Sequence, residues 1–211
     1  IPSPRILKMI QDKGLQKEFY AKHGIPSGKF FLVNNKEEWH RLIPLLGSDK
    51  FVAKTRTGGY DGKGVAILDA QEMIDFPERI PFEGPCVLEE FVVCEKELAV
   101  IVARDRDGNI VSFPSIEMEF DPIANLVTLL ISPARVGSII EEKAEEIARK
   151  VVQALDGPGL FAVELFLDKE GTIFVNEVAP RPHNSGHHTI EACYTSQYEQ
   201  LARILLGLPL G

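Results

Sequence analysis

The apolar positions of this chain fall into short runs that alternate with longer segments of helical period. The short runs predict strands at residues 29–33, 51–54, 65–68, 86–90, 97–104, 110–114, 126–131, 160–167 and 172–178. Apolar positions spaced three and four apart predict helices at residues 11–23, 36–46, 141–155 and 189–206. Because several strands follow one another through short polar turns, we expect antiparallel hairpins with flanking helices, an α+β fold.

Composition and charge narrow the class of protein. Hydrophobic residues make up 45% of the chain and charged residues 26%, as in ordinary globular domains. The net charge of −8 argues against a nucleic-acid binder, because such proteins neutralise phosphates with a basic surface. No apolar run approaches the ~18 residues that a membrane span requires, so we expect no membrane segment.

The cysteines indicate the cellular compartment. Cys86, Cys94 and Cys193 are odd in number and lack CxxC spacing. Because disulfides accumulate in oxidising compartments, this usage predicts reduced thiols and a cytoplasmic protein. We expect the thiols to lie in the core, with Cys193 on the last helix.

Two carboxylates in neighbouring predicted strands form the first candidate site. Glu164 interrupts the apolar run at residues 160–167, and Glu177 lies near the end of the run at residues 172–178. An ionised carboxylate in a buried strand is costly unless it is paired or binds a metal. With a nearby amide oxygen, the pair would form the all-oxygen site that magnesium with phosphate prefers. The alternative is two surface glutamates on an exposed hairpin.

The loop after the second carboxylate carries further polar groups. Arg181, His183 and Asn184 follow within a segment that Pro180 and Pro182 stiffen. Such a loop at a strand end can hold a cation and an anion together. Zinc binding by the nearby histidines is disfavoured, because no thiolate is close in the sequence and the spacing does not match zinc motifs.

A glycine-rich loop joins two of the predicted strands. Residues 55–64 (TRTGGYDGKG) contain four glycines, and Lys63 adds positive charge. Glycines let backbone N–H groups approach phosphate oxygens closely. The spacing is not that of a Walker A motif, and no helix follows. A phosphate-binding loop and a mobile hairpin turn are the two interpretations that the residues leave open.

Three further positions have both a functional and an ordinary interpretation. Lys54 ends a buried strand, where it either reaches solvent or neutralises a ligand phosphate. Residues 89–92 lead to Glu97, so backbone groups there can hold an adenine edge and Glu97 can hold ribose hydroxyls; the alternative is a polar strand edge. By pattern alone, Lys17 is an ordinary surface lysine of a helix.

Taken in order, these features resemble the ATP-grasp superfamily, and within it the 5-(carboxyamino)imidazole ribonucleotide synthetase family. The resemblance covers nearly the whole chain. The segments that carry it are Asp12-Lys13 with Lys17, residues 57–64, residues 132–135 (SPAR) and residues 176–187 (NEVAPRPHNSGH). Residues 115–130 depart from the expected pattern.

The resemblance implies the ATP-grasp fold, in which two lobes with antiparallel sheets and flanking helices enclose a nucleotide cleft. The small, loop-bearing lobe would comprise about residues 1–91, and the large, metal-binding lobe about residues 92–211. Complete enzymes of the family have further domains on both sides. The chain starts without Met and ends just after a predicted helix. We therefore expect a central module that binds ATP but lacks full turnover alone, from an enzyme that is a homodimer when complete.

The resemblance also implies a reaction and roles for single residues. ATP, bicarbonate and 5-aminoimidazole ribonucleotide would give the carboxyamino nucleotide, ADP and phosphate through carboxyphosphate, with magnesium as the metal. The residues implied in nucleotide binding are Lys17, Lys54, Gly59, Asp61, Gly62, Lys63, Glu89, Glu90, Val92 and Glu97. Those implied in magnesium binding are Glu164 and Glu177. Those implied at the reacting groups are Tyr60, Arg181, His183 and Asn184.

Two alternatives stay open. A formate-dependent glycinamide ribonucleotide transformylase is a related ATP-grasp enzyme that activates formate through an acyl phosphate; residues 184–187 favour the bicarbonate enzyme over it. A non-catalytic nucleotide-binding module belongs to a different class, and the retention of both Glu164 and Glu177 argues against it.

Overall fold

The computed structural model describes residues 2–59, 64–121 and 127–211. Within these ranges the α-helices are α1 (Pro4–Gln11), α2 (Lys13–Lys22), α3 (Lys36–Leu46), α4 (Ala70–Asp75), α5 (Ser138–Leu155), α6 (Thr189–Ala192) and α7 (Gln197–Leu206). The strands are β1 (Phe30–Val33), β2 (Lys50–Thr55), β3 (Val65–Asp69), β4 (Cys86–Glu90), β5 (Cys94–Arg104), β6 (Ile110–Ser112), β7 (Ile116–Phe120), β8 (Val127–Ile131), β9 (Gly159–Asp168) and β10 (Ile173–Ala179). Short 3₁₀ helices lie at Pro77–Arg79 and Asn184–Gly186.

The strands form two antiparallel sheets. The first sheet has the order β1-β4-β2-β3, and the second has the order β10-β9-β5-β7-β8, with β6 paired to β5. Strand β5 pairs with β9 along its whole length. The two strands run antiparallel, with Cys94 opposite Asp168 at one end and Arg104 opposite Gly159 at the other. The predicted α+β class is confirmed. The short connection from β4 to β5 links one sheet directly to the other.

Helix α3 covers the first sheet. It begins after Asn35, whose side-chain oxygen accepts a hydrogen bond from the Glu38 backbone N–H at 3.2 Å, a standard N-cap. Its apolar face buries Trp39 and Ile43 against Phe51 of β2 and Met73 of α4. This core fixes β2, and therefore the strand end that carries Lys54, in place.

The second sheet has a larger core that includes the first two helices. Helix α5 packs on it, and Ile6 and Ile10 of α1 and Tyr20 of α2 join the same cluster. Helices α1 and α2 therefore pack with the second sheet, although the predicted division at about residue 91 assigns them to the first lobe. Apolar contact, and not position along the chain, decides this grouping.

Two predicted helices are each split in the structure. The helix expected at residues 11–23 is interrupted at Asp12, whose carboxylate caps α2 by accepting from the backbone of Gly14 at 2.8 Å. The helix expected at residues 189–206 breaks into α6 and α7, and Ser196 caps α7. Short polar side chains such as these compete for backbone N–H groups and start new helices.

Several elements were not predicted, and the thiols differ in part from expectation. Helix α1, helix α4 and strand β7 were missed, although β7 alternates apolar residues with Glu117 and Glu119.

All three cysteines are free, and Cys86 is buried. Cys94 in β5 and Cys193 just after α6 are both half-buried, so the expected placement of these two thiols in the core was wrong. Across the described ranges, no helix combines the length and apolar character that crossing a bilayer requires.

Candidate active site

A cavity of about 660 Å³ lies between the two sheets. Every predicted site residue that falls in the described ranges lines it. These residues are Lys17, Lys54, Gly59, Glu89, Glu90, Val92, Glu97, Glu164, Glu177, Arg181, His183 and Asn184. Tyr60, Asp61, Gly62 and Lys63 lie outside the described residues. The cavity therefore gathers groups that are distant in sequence.

Two lysines meet one buried carboxylate at the cavity wall. Lys17 Nζ lies 2.8 Å from Glu89 Oε2, and Lys54 Nζ lies 3.3 Å from Glu89 Oε1. The Lys17 side chain is only 4% exposed, so its interpretation as a surface lysine was wrong. Lys17 lies three residues before Tyr20 on the buried side of helix α2, and Tyr20 packs in the core of the second sheet, so this side of the helix faces the protein interior. The two ammonium groups share one carboxylate, so this part of the cavity wall has one more cationic than anionic side chain.

The pKa values of these groups follow from burial and from their neighbours. Burial lowers the pKa of Lys17, although the adjacent Glu89 carboxylate opposes that shift. Burial acts to raise the pKa of Glu89, but the charges of Lys54 and Lys17 outweigh it and the pKa is lowered. Glu89 is therefore ionised at neutral pH. Its side chain contacts the lysines, whereas the resemblance places the residue at the adenine hinge.

A β-bulge in β10 turns two consecutive polar side chains into the cavity. The register of β10 against β9 shifts between Val175 and Glu177, so Asn176 has no partner residue across the sheet. Bulges of this kind re-aim side chains next to active sites. Asn176 Oδ1 accepts a hydrogen bond from Lys54 Nζ at 2.9 Å, which joins the first sheet to the second. The sequence analysis did not assign Asn176 a role of its own.

The carboxylates of Glu164 and Glu177 face the same cavity. Glu177 pairs with Glu164 across β9 and β10. The Glu164 side chain is 17% exposed and the Glu177 side chain 38% exposed, so the alternative of a surface glutamate is wrong for Glu164, whereas Glu177 is partly accessible. Burial, together with the charges of Glu177 and Glu97, raises the pKa of Glu164 to about 8. Burial also raises the pKa of Glu97. The site thus concentrates negative charge that burial disfavours.

The donor set fits a divalent cation bound jointly with a ligand. Glu164 and Glu177 offer carboxylate oxygens, which magnesium prefers. Within the described ranges, no group of three or more His, Cys, Asp or Glu side chains could hold a metal ion by itself. Two carboxylates would thus leave further coordination positions for ligand oxygens or water. A cation would also offset the repulsion that raises the pKa of Glu164.

The link between the sheets forms another part of the wall. Glu90 to Cys94 connect β4 to β5, and Glu90, Phe91, Val92 and Val93 all line the cavity. The backbone N–H of Glu90 donates to the Lys29 carbonyl at 2.9 Å, which anchors the link. Apolar side chains continue this wall. They are Val52, Val65, Ile67, Phe166 and Phe174. Val65 and Ile67 are 38% and 61% exposed, an unusual exposure for apolar residues of a strand.

His183 is held from both sides of its ring. Its Nε2 lies 3.3 Å from Glu164 Oε1. Its Nδ1 lies 2.9 Å from the Ser185 hydroxyl and 3.4 Å from the Ser185 backbone N–H, which donates to it. The same Ser185 backbone N–H also donates to Asn184 Oδ1 at 2.9 Å, so residues 183–185 form one local hydrogen-bond network with Nε2 facing Glu164. Arg181 and Asn184 line the cavity beside this histidine.

The base of the glycine-rich loop is attached to α2. Arg56 binds Asp12 through two hydrogen bonds, and its carbonyl accepts from the Lys13 backbone N–H at 2.9 Å. Gly58 and Gly64 have φ values of 79° and 74°, which favour glycine. Lys13 itself lines the cavity, with Nζ 3.6 Å from Glu177 Oε2. Lys13 lies in a segment that carries the resemblance, but the sequence analysis gave it no role.

Comparisons with known proteins show which family and which relatives this chain resembles. The ATP-grasp domain family matches residues 18–198. The chain is 41% identical over 214 residues to the chloroplastic phosphoribosylaminoimidazole carboxylase of Vigna aconitifolia, covering 100% of the chain and 37% of that protein. It is 38% identical over 206 residues to the N5-carboxyaminoimidazole ribonucleotide synthase of Bacillus subtilis, covering 98% of the chain and 53% of that protein.

A solved structure resembles the chain in three dimensions. It is the N5-carboxyaminoimidazole synthase of Aspergillus clavatus in complex with ADP and 5-aminoimidazole ribonucleotide, with a TM-score of 0.88 and 35% identity. The match covers 100% of this chain and 55% of that one. The chain therefore spans from about a third to about half of the length of the proteins it matches.

Proposed function

The chain belongs to the ATP-grasp domain family, and from this membership we propose that it forms the ATP-binding core of a 5-(carboxyamino)imidazole ribonucleotide synthetase. The reaction joins bicarbonate to the amine of 5-aminoimidazole ribonucleotide, consumes ATP and releases ADP and phosphate. One observation carries the proposal: a pair of lysines and a pair of carboxylates line a single cavity. Lysines suit the phosphates of a nucleotide, and the carboxylates suit the cation that accompanies it.

The adenine and ribose would lie along the link between the sheets. Residues 90–93 line the wall there, and Val92 lies within that segment. Val65 and Ile67 on one side and Phe166 on the other supply the apolar surface that a base covers. Burying Val65 and Ile67 under a ligand removes their exposed area from water, which favours binding. Glu97 would accept hydrogen bonds from the ribose hydroxyls.

The phosphates would bind to Lys17 and Lys54. Both ammonium groups are desolvated and are held by Glu89, so little side-chain freedom remains to be lost when a phosphate arrives. Asn176 gives Lys54 a second fixed contact. Gly59 lines the same cavity, and the roles of Tyr60, Asp61, Gly62 and Lys63 stay predictions from the sequence. The preorganised positive charge would oppose the negative charge of the transferring phosphoryl group.

Glu164 and Glu177 would hold magnesium together with the ATP phosphates. Bound magnesium would supply positive charge against the negative charge that develops on the phosphates during transfer. That positive charge would favour the ionised form of Glu164, whose pKa burial raises. Lys13, bound to Glu177, would keep that carboxylate oriented.

Arg181, His183 and Asn184 would bind and orient bicarbonate, carboxyphosphate and the amine of the nucleotide substrate. A bicarbonate oxygen attacks the γ-phosphorus, and the bond from that phosphorus to the ADP oxygen breaks. The amine of the nucleotide substrate then attacks the carboxyl carbon of carboxyphosphate, phosphate leaves and the amine loses a proton. Arg181 would hold the anions as a fork of donors. The imidazole of His183 and the amide of Asn184 would orient them at the same wall.

The complete enzyme is part of this proposal. Relatives of the chain are longer, so substrate contacts from further segments complete the site. We propose a homodimer in the cytoplasm. The crystallised Aspergillus clavatus enzyme carries ADP and 5-aminoimidazole ribonucleotide together, which supports both ligands for this protein.

The test uses phosphate release by the full-length protein. We expect release from ATP to require bicarbonate and 5-aminoimidazole ribonucleotide, and formate to be unable to replace bicarbonate. Phosphate release that depends on formate and glycinamide ribonucleotide would replace the proposal with the transformylase. A titration of this chain with ADP, with and without magnesium, separates both outcomes from a protein that binds no nucleotide.

A further inference from the structure

Gln197 lies outside the cavity but is bonded to the backbone of a cavity residue. It is the first residue of α7 and is fully buried. Its Oε1 accepts from the His183 backbone N–H at 2.9 Å, and its Nε2 donates to the His183 carbonyl at 2.8 Å. One carboxamide thus binds both backbone groups of His183, and the His183 carbonyl also accepts from the Gly186 N–H at 3.0 Å. A buried backbone group without a partner is costly, so this pairing fixes the residue firmly.

The surroundings of Gln197 fix the carboxamide in turn. Its backbone N–H donates to Thr189 Oγ1 at 2.9 Å, and that hydroxyl donates to the Gly186 carbonyl at 2.6 Å. A Cβ on Gly186 would overlap the Gln197 carboxamide, so the glycine allows this close approach. The chain from 183 to 186 is therefore clamped onto the start of α7.

We propose that Gln197 is a positioning residue for the carboxylation step. It fixes the backbone of His183, while Ser185 fixes the ring with Nε2 toward Glu164 and the cavity. The inference rests on the proposed function, because His183 matters only if it contacts the bicarbonate-derived group. Gln197 has no contact with Lys17, Lys54 or residues 90–93 among the described hydrogen bonds, so nucleotide binding does not depend on it. A loss of position of about 1 Å costs up to about 100-fold in rate.

Gln200 provides a matched control for Gln197. Both are fully buried glutamines of α7. The Gln200 carboxamide binds Gly211, accepting from its N–H at 2.9 Å, and does not contact His183. A general loss of helix packing would affect substitutions of both Gln197 and Gln200, whereas displacement of His183 would affect only substitutions of Gln197.

The experiment compares Gln197→Ala, Gln197→Glu and Gln200→Ala in the full-length protein. We expect Gln197→Ala to lower kcat by about 10- to 100-fold, with KM for ATP and the dissociation constant for magnesium–ADP within about twofold of the parent. Gln197→Glu keeps an acceptor for the His183 N–H but places a second acceptor oxygen against the His183 carbonyl, so its kcat should also fall below that of the parent. Gln200→Ala should keep the parent kcat even where its melting temperature falls equally.

Equal losses of kcat in Gln197→Ala and Gln200→Ala would overturn the inference, as would a parent-like kcat in Gln197→Ala. A second readout is the ¹⁵N spectrum of the His183 ring, whose chemical shifts should move in Gln197→Ala and stay at the parent values in Gln200→Ala, because only Gln197 holds the His183 backbone. Unchanged ring shifts in Gln197→Ala would also overturn the inference. A parent without bicarbonate-dependent turnover refutes the proposed function, and the ring spectrum then decides separately whether Gln197 fixes His183.

Discussion

Arg56 and Asp12 form a two-point ion pair, with Nε 2.8 Å from Oδ1 and Nη2 2.6 Å from Oδ2. The pair joins the base of the glycine-rich loop to the first turn of α2, the helix that carries Lys17. The same Asp12 carboxylate caps α2 through Gly14 and Leu15. One acidic residue thus sets the position of a loop and a helix that both contribute to the cavity.

Replacing Arg56 with lysine should weaken this attachment. Lysine offers a single ammonium group and cannot reproduce the planar two-point contact. We expect Arg56→Lys to lower the free energy of unfolding by about 1–2 kcal/mol, in the range of hydrogen bonds to charged groups, and to weaken magnesium–ADP binding. Urea denaturation and calorimetric titration measure the two effects. Arg41→Lys on the surface of α3 is the control, and equal effects in both variants would contradict the assignment.

Removing the charge of Glu89, the carboxylate that Lys17 and Lys54 share, should strongly destabilise the protein. In Glu89→Gln, Lys17 and Lys54 lose their counter-charge in a desolvated place. Removing one partner of a buried ion pair typically costs about 3–5 kcal/mol, so we expect a marked drop in stability by urea denaturation. Glu90→Gln changes the exposed neighbouring residue and should leave stability unchanged. A stable Glu89→Gln protein would show that the lysines are not held by this carboxylate.

Magnesium dependence tests the carboxylate pair. We expect Glu177→Gln to remove most of the enhancement that magnesium gives to ADP binding, because one of two proposed ligand carboxylates loses its charge. ADP binding without magnesium should change little. Glu170→Gln, in the turn of the same β9–β10 hairpin, is the control and should behave like the parent. If Glu177→Gln and the parent respond equally to magnesium, the metal assignment is wrong.

Glu117 predicts how stability changes in acid. Hydrogen bonds from Arg135, with a further contribution from Lys96, lower the pKa of Glu117 to about 2, from an ordinary value of 4.5. Since the folded-state pKa lies below the unfolded one, this group stabilises the fold fully above pH 4.5. That stability is lost as the pH falls from 4.5 toward 2. In Glu117→Gln, the slope of unfolding free energy against pH should be smaller across this window. An unchanged slope would contradict the shifted pKa.

Much of the fold was predictable from local patterns. The alternation of apolar runs with helical segments predicted the β9–β10 hairpin and α3, because strand and helix periods are properties of short segments. Helix ends were harder to predict, since Asp12 and Ser196 cap helices through side-chain hydrogen bonds to backbone N–H groups that periodicity does not contain.

The sequence by itself determined the α+β class, the order of the motifs and most residues of the candidate site. Only the tertiary structure decided which polar groups meet. It buried Lys17 against Glu89, joined Lys54 to Asn176 across 122 residues of sequence, and clamped His183 with Gln197. The physical reason is range: a helix or strand is specified by neighbours along the chain, whereas burial, ion pairing and pKa depend on packing between distant segments.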